Sequence, residues 1–211
     1  MSPELEAYIE THIEKEPEDL HRLERATNLQ RVNGRMCSGH IQGRLLKMLT
    51  TMIRPQKALE LGTFTGYSAL CIAEGLPENG SLITIELEDE LEEPILEAFS
   101  ASPYGDKIKL IIGDASEKCR EFADKTFDMI FIDADKRRYP EYYAEAKRIL
   151  RPGGYILADN TLWDSHVIED YRHDPQTEGV RNFNNIVVSD PDMETVIIPI
   201  RDGISIIRKT N

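Results

Sequence analysis

A chain of 211 residues, 40% hydrophobic and 30% charged, has the size and composition of one globular domain with a full core. Its formal charge of −13, from 38 acidic against 25 basic residues, excludes the basic stripe that a duplex-binding surface needs, so no nucleic-acid partner is expected. A small anionic ligand stays open, because a local basic cluster can oppose the net charge. No apolar run reaches 18 residues and no apolar leader opens the chain, so neither membrane insertion nor secretion is expected. The three cysteines, Cys37, Cys71 and Cys119, lack CxxC or Cys/His spacing, which argues against zinc and disulfides and for buried thiols in a reducing cytoplasm.

In chain order, residues 1–55 read as helices, with no repeat or low-complexity linker. "SPELEAYIETHI" places Ser2 as an N-cap and Pro3 at the first helical position. "PEDLHRLERATNLQRV" is a second amphipathic segment, and "SGHIQGRLLKMLTTMI" a third, stopped by Pro55. This section is expected to belong to the same domain as the core, residues 56–211. From Ala58 the pattern alternates, with strands expected at "KALELG", "SLITIEL", "KIKLIIG", "FDMIFID", "GYILAD", "ETVIIPI" and "GISIIRK". Helical stretches follow Gly66, Asp89, Ala115 and Tyr139. Short apolar strands separated by helices predict a parallel sheet covered on both faces. The last two strands are joined only by Arg201, Asp202 and Gly203, too few for a crossover, and so predict an antiparallel hairpin.

In such sheets ligands sit beyond the carboxyl ends of the strands, so the residues after each strand are read together. After the first strand, Gly62 and Gly66 allow close backbone approach, and the helix that follows offers unpaired N–H groups beside Ser68. Glu86, at the end of the second strand, is placed to bind ribose hydroxyls. The loop lacks the GxGxxG pair of dinucleotide sites. By itself it leaves dehydrogenase and methyltransferase open; ExGxxxG with an acid after the next strand favours S-adenosylmethionine. In "GDAS", Ala115 leaves room for a purine, while Asp114 reads equally well as a helix cap. Strand four ends in Asp133, Asp135 and Lys136, and strand five in Asp159 and Asn160. If these strands are neighbours, Asp133, Asp159 and Asn160 converge into an all-oxygen site suited to Mg²⁺ or Ca²⁺. The other reading of Asp-Asn is a turn after the strand.

These residues resemble the cation-dependent class I O-methyltransferases, which include caffeoyl-CoA and catechol O-methyltransferases and their bacterial relatives. The likeness runs from about Met36 to Lys209 and is carried by "ELGTFTGYS", "FIDADK", "ADN" and the closing "RDGISIIRK". It implies a Rossmann-like methyltransferase fold with a mostly parallel seven-stranded sheet, and S-adenosylmethionine held by Ser38, Glu60, Gly62, Thr63, Ser68, Glu86, Ala115 and Asp133. It further implies a divalent cation (Mg²⁺, or Ca²⁺ or Mn²⁺) on Asp133, Asp159 and Asn160, with Lys136 as the base.

A phenol ionises near pH 10 by the tyrosine reference, so a cation that favours the anion, and a Lys136 whose own pKa is lowered by that cation and by burial, would prepare the oxygen for in-line attack. The acceptor expected is an ortho-dihydroxy aromatic small molecule. Where catechol-type relatives place an acid for the second hydroxyl, this chain has Val196, with Glu194 displaced. The insertion at 163–185 resembles the bacterial and caffeoyl-CoA branch, and Trp163 reads either as a wall for an aromatic ring or as an ordinary core residue. Arg22, Arg25, Arg31, Arg35 and Arg44 would recruit an anionic acceptor or pair with acids at an interface. A homodimer is expected, since the N-terminal helices exceed what one sheet needs for cover. The competing readings are a nicotinamide-dependent oxidoreductase and a non-catalytic cofactor-binding domain.

Overall fold

The computed structural model describes residues 2–211, the side chains of Pro3 and Arg35 excepted. Helix α1 (Pro3–Glu10) starts where the Ser2 hydroxyl accepts the Leu5 N–H at 3.3 Å. Helices α2 (Glu18–Gln30) and α3 (Gly39–Ile53) follow, and α3 ends on Arg54 in the left-handed region (φ 55°), whose N–H donates to the Thr50 carbonyl. The alternating part then runs β1 (Lys57–Leu61), α4 (Tyr67–Gly75), β2 (Ser81–Glu86), α5 (Glu92–Ser100), β3 (Ile108–Ile112), α6 (Ala115–Arg120), β4 (Phe127–Ile132), α7 (Tyr139–Ile149) and β5 (Leu150–Ala158). Helix α8 (Pro175–Ser189) and strands β6 (Met193–Ile198) and β7 (Ile204–Lys209) complete the chain.

One seven-stranded sheet results, in the order β3-β2-β1-β4-β5-β7-β6. The first five strands are parallel, and β7 is antiparallel to both β5 and β6, with Tyr155 opposite Arg208 and Met193 opposite Lys209. The predicted hairpin is therefore present, but its second strand is the one inserted beside β5. The chain leaves β5, crosses by α8 to the edge and turns back.

Side-chain alternation divides the core between the two faces. Leu59, Leu61, Ile130, Ile132 and Ile156 pack with Tyr139 and Phe183 of α7 and α8. Ala58, Met129, Phe131 and Leu157 pack on the other face with Leu20, Leu46, Tyr67 and Cys71 of α2, α3 and α4. Glu60 shares its parity with Ala58, so it is driven into the second layer, where it is fully buried.

Helix α8 is an element the sequence reading did not name; it occupies the second half of the 163–185 insertion and runs on to Ser189. Its start was legible in Asp174-Pro175: the Asp174 carboxylate accepts from the Thr177 N–H at 3.0 Å and from its hydroxyl at 2.7 Å. The Phe183 ring meets Tyr139 and Tyr143 edge-on at 5.4 and 5.8 Å, sealing α8 onto α7. Strand β5 also begins at Leu150, four residues before the predicted Gly154, and its register shifts between the Phe127–Leu150 and Met129–Tyr155 pairs. Among the described residues no helix is long and apolar enough to cross a membrane, and Cys37, Cys71 and Cys119 are free and buried.

Candidate active site

The strand order reverses between β1 and β4, so the loops after these two strands open at the switch point. Gly62 has φ 94°, and a Cβ there would lie 2.1 Å from the Asp133 carbonyl oxygen. Gly66 has φ 92°, with the Phe99 ring 2.7 Å from its missing Cβ. Both glycines are thus demanded by the protein's own packing, in addition to any ligand.

Glu86 closes the loop from the end of β2. One carboxylate oxygen accepts the N–H groups of Thr63 (3.1 Å) and Phe64 (2.7 Å), and the other accepts from Glu88 (3.0 Å). Beneath it Glu60 accepts from Ser68 at 2.6 Å and from Thr84, its register partner, at 2.5 Å. Thr84 in turn shares a 2.6 Å hydroxyl contact with Thr63. Burial pushes the Glu60 carboxyl up to about 8, against 4.5 for an ordinary glutamate. Glu60 and Ser68 therefore brace the loop from inside. Ala115 begins α6, where the Asp114 carboxylate accepts from Ser116 and Glu117, so the cap reading of Asp114 holds. An ion pair to Arg138 holds Asp114 below the usual carboxylate range.

The ends of β4 and β5 lie side by side, Ile132 opposite Ala158, which brings Asp133 and Asp159 together. The buried Asp159 carboxylate accepts the Asn160 N–H at 2.7 Å on one oxygen and the Gln42 amide at 2.6 Å on the other. Burial, then the Asp133 charge, raises its pKa. Lys136 Nζ donates to Asp133 (2.7 Å), the Tyr139 hydroxyl (2.8 Å) and the Ala134 carbonyl (3.2 Å). The Tyr139 hydroxyl donates a hydrogen bond to the Asp159 carbonyl at 2.9 Å. Of the two causes expected to lower the Lys136 pKa, a cation and burial, the protein itself supplies burial. Burial does pull it down, but the charges of Asp133 and Asp159 outweigh burial and the net direction is up.

The donor set fits a divalent cation. Two carboxylates, the buried Asp159 and the partly exposed Asp133, face one ammonium, leaving excess negative charge, and with the Asn160 amide they would supply only hard oxygen ligands. Ser38 lies one helical turn before Gln42 and lines a cavity of about 210 Å³ with Glu24, Asn28 and Arg201.

Asn160 (φ 56°) is followed by Trp163, Asp164 and Ser165, all in the left-handed region, which is uncommon and strained for such side chains. The hairpin turn holds this segment: the N–H groups of Thr161 and Leu162 donate to the Gly203 and Asp202 carbonyls. Trp163 is half-buried there. Val196 and Glu194 lie on the edge strand, Glu194 paired with Arg208. Of the arginines expected to attract an anion, Arg44 is buried against Glu74 at 2.7 Å, and Arg22 faces Glu18 at 3.7 Å. Sequence reasoning missed Gln42, Thr84 and Tyr139; only Thr84, a polar residue inside an apolar strand, carried a signal.

A doubly wound sheet with a glycine loop after β1 and paired carboxylates at the ends of β4 and β5 defines an enzyme of the nucleoside-cofactor-binding class. The chain belongs to the O-methyltransferase family, whose sequence profile matches residues 9–210. Catechol O-methyltransferase of Niastella koreensis is 33% identical over 160 residues, covering 74% of this chain and 72% of that protein. Caffeoyl-CoA O-methyltransferase 2 of Zea mays is 32% identical over 206 residues, covering 92% and 78%. Among solved structures, the O-methyltransferase TomG of Streptomyces achromogenes, in complex with SAM, is similar with a TM-score of 0.91 at 26% identity, covering 99% of this chain and 96% of that one. SAH-bound PaMTH1 of Podospora anserina gives 0.89 at 26%, covering 99% and 94%. Family membership sets aside the oxidoreductase and non-catalytic readings.

Proposed function

We propose that this protein transfers the methyl group of S-adenosylmethionine to a hydroxyl of an ortho-dihydroxy aromatic small molecule, with Mg²⁺ as the divalent cation. The observation that carries the reading is the Asp133–Lys136–Asp159 cluster beside the glycine loop, with Lys136 and Asp159 buried.

In this reading Ser38, Gly62, Thr63, Glu86, Ala115 and Asp133 hold the cofactor, while Glu60 and Ser68 act through the loop they brace. Asp133, Asp159 and Asn160 hold the cation, which would bind the acceptor oxygen and favour its anion. Lys136 would act on that oxygen, and it has three acceptors around its ammonium. To take the acceptor's proton it must first release its own. The carboxylate charges that oppose this release are those a cation would offset, leaving burial to lower the lysine's pKa. Orientation of the oxygen against the methyl carbon supplies the rest of the rate, because displacement at a sulfonium needs in-line approach.

The test is calorimetric titration with S-adenosylhomocysteine and with NADH, followed by methyl transfer to a panel of ortho-dihydroxy and single-hydroxyl aromatics. S-adenosylhomocysteine binding with transfer to the diols supports the proposal; equal binding of NADH, or transfer to lone phenols alone, overturns it. We also propose a homodimer, supported by the exposed apolar residues Leu29, Val32, Met48 and Met52 on α2, α3 and the turn between them; a monomeric mass by light scattering at micromolar concentration would contradict it.

A further inference from the structure

Gln42 is the point at which the N-terminal helices enter the candidate cation site. It lies in the first half of α3 and is 1% exposed. Gly43 beside it lets α3 press on α4, since a Cβ there would come within 2.8 Å of both Cys71 Sγ and the Tyr67 ring. That close approach carries the Gln42 amide across 117 positions of sequence to Asp159 Oδ2, at 2.6 Å. The amide must present its nitrogen, because its oxygen at that distance would set two acceptors against each other.

The two Asp159 oxygens are then matched. Oδ1 takes the Asn160 N–H and Oδ2 takes Gln42, so one protein donor sits on each oxygen and each retains lone-pair capacity. A neutral amide fixes the rotation of the carboxylate without discharging it. A lysine in the same place would compete with any cation for that charge. Partners of this kind orient metal ligands, and removing one costs affinity.

We infer that Gln42 is a positioning residue for the cation site, holding the Asp159 carboxylate in the orientation that binds the metal; this rests on the cation reading of Asp133, Asp159 and Asn160. The N-terminal helical section is in this way a structural part of the metal centre.

The experiment titrates Mn²⁺, counted by electron paramagnetic resonance, into the wild-type chain and the Gln42→Met, Gln42→Asn and Asp159→Ala variants, with S-adenosylhomocysteine affinity and melting temperature measured beside it. Methionine keeps the volume and loses the donor; asparagine keeps an amide but withdraws it by one methylene. Both should weaken Mn²⁺ binding by about 10–100-fold, with S-adenosylhomocysteine affinity, measured without metal, changed by less than about twofold. Saturating Mn²⁺ should then restore methyl transfer. Wild-type Mn²⁺ affinity in both Gln42 variants, with binding lost in Asp159→Ala, overturns the inference and leaves the cation reading standing. Equal loss of Mn²⁺ and S-adenosylhomocysteine affinity in both variants also overturns it, because that marks general damage to α3. Unchanged Mn²⁺ binding in Asp159→Ala overturns the cation reading and the inference with it.

Discussion

Replacing Glu60 by glutamine should make the protein less sensitive to pH between 5 and 7. The side chain is fully buried on β1, with Ser68 and Thr84 on its two oxygens, and burial raises its pKa from 4.5 to about 8. The folded chain therefore keeps a proton that the unfolded chain gives up above 4.5. Since the native state binds more protons in this window, its stability is full below about pH 4.5 and falls as pH rises toward 8. Each pH unit is worth about 1.4 kcal/mol, so two units amount to about 3 kcal/mol. Glutamine has nearly the shape of the protonated acid: its carbonyl accepts from one hydroxyl and its amide donates to the other, which rotates to receive it. It does not titrate. Urea unfolding of both proteins at pH 5 and pH 7 isolates this effect, because the other titrating groups cancel in the difference. The Glu60→Gln variant should gain about 3 kcal/mol relative to the wild type over that interval. A difference that stays constant within about 0.5 kcal/mol would mean that Glu60 is ionised in the fold and that its burial has been misjudged.

Gly62→Ala should lower stability by about 3 kcal/mol or more, because a positive φ is combined with a Cβ 2.1 Å from a backbone oxygen; a melting temperature within about 2 °C of the wild type would contradict this. Glu86→Ala leaves the Thr63, Phe64 and Glu88 N–H groups without their acceptor. It should weaken S-adenosylhomocysteine binding by at least about tenfold, read by calorimetry. EDTA should abolish methyl transfer and Mg²⁺ restore it; full activity after chelation and exhaustive dialysis would remove the cation from the mechanism. Lys136→Met should lower turnover most near neutral pH and recover in part at alkaline pH, where the acceptor ionises unaided, so a pH–rate profile parallel to the wild type would deny Lys136 the role of base.

Much of this architecture is local and was readable as such. Short apolar runs separated by helical stretches, glycine punctuation and a final link too short for a crossover are enough to define five parallel strands and a closing hairpin. Because β4 and β5 are neighbours joined by one crossover helix, Asp133 and Asp159 could be placed together from the sequence alone. Other features depend on partners far apart in the chain. The Gln42–Asp159 bond spans 117 positions, and nothing in "HIQG" announces it. The raised pKa of Glu60 follows from the layer its strand parity selects, where burial outweighs the Ser68 and Thr84 hydroxyls that favour the charged form. The charge on Lys136 could not be read from its neighbours in sequence, because burial and two carboxylates oppose each other and their balance depends on distance. Periodicity and loop chemistry are properties of a segment; desolvation and long-range hydrogen bonds exist only once segments pack, and so tertiary structure decided which polar groups are charged, matched or enclosed.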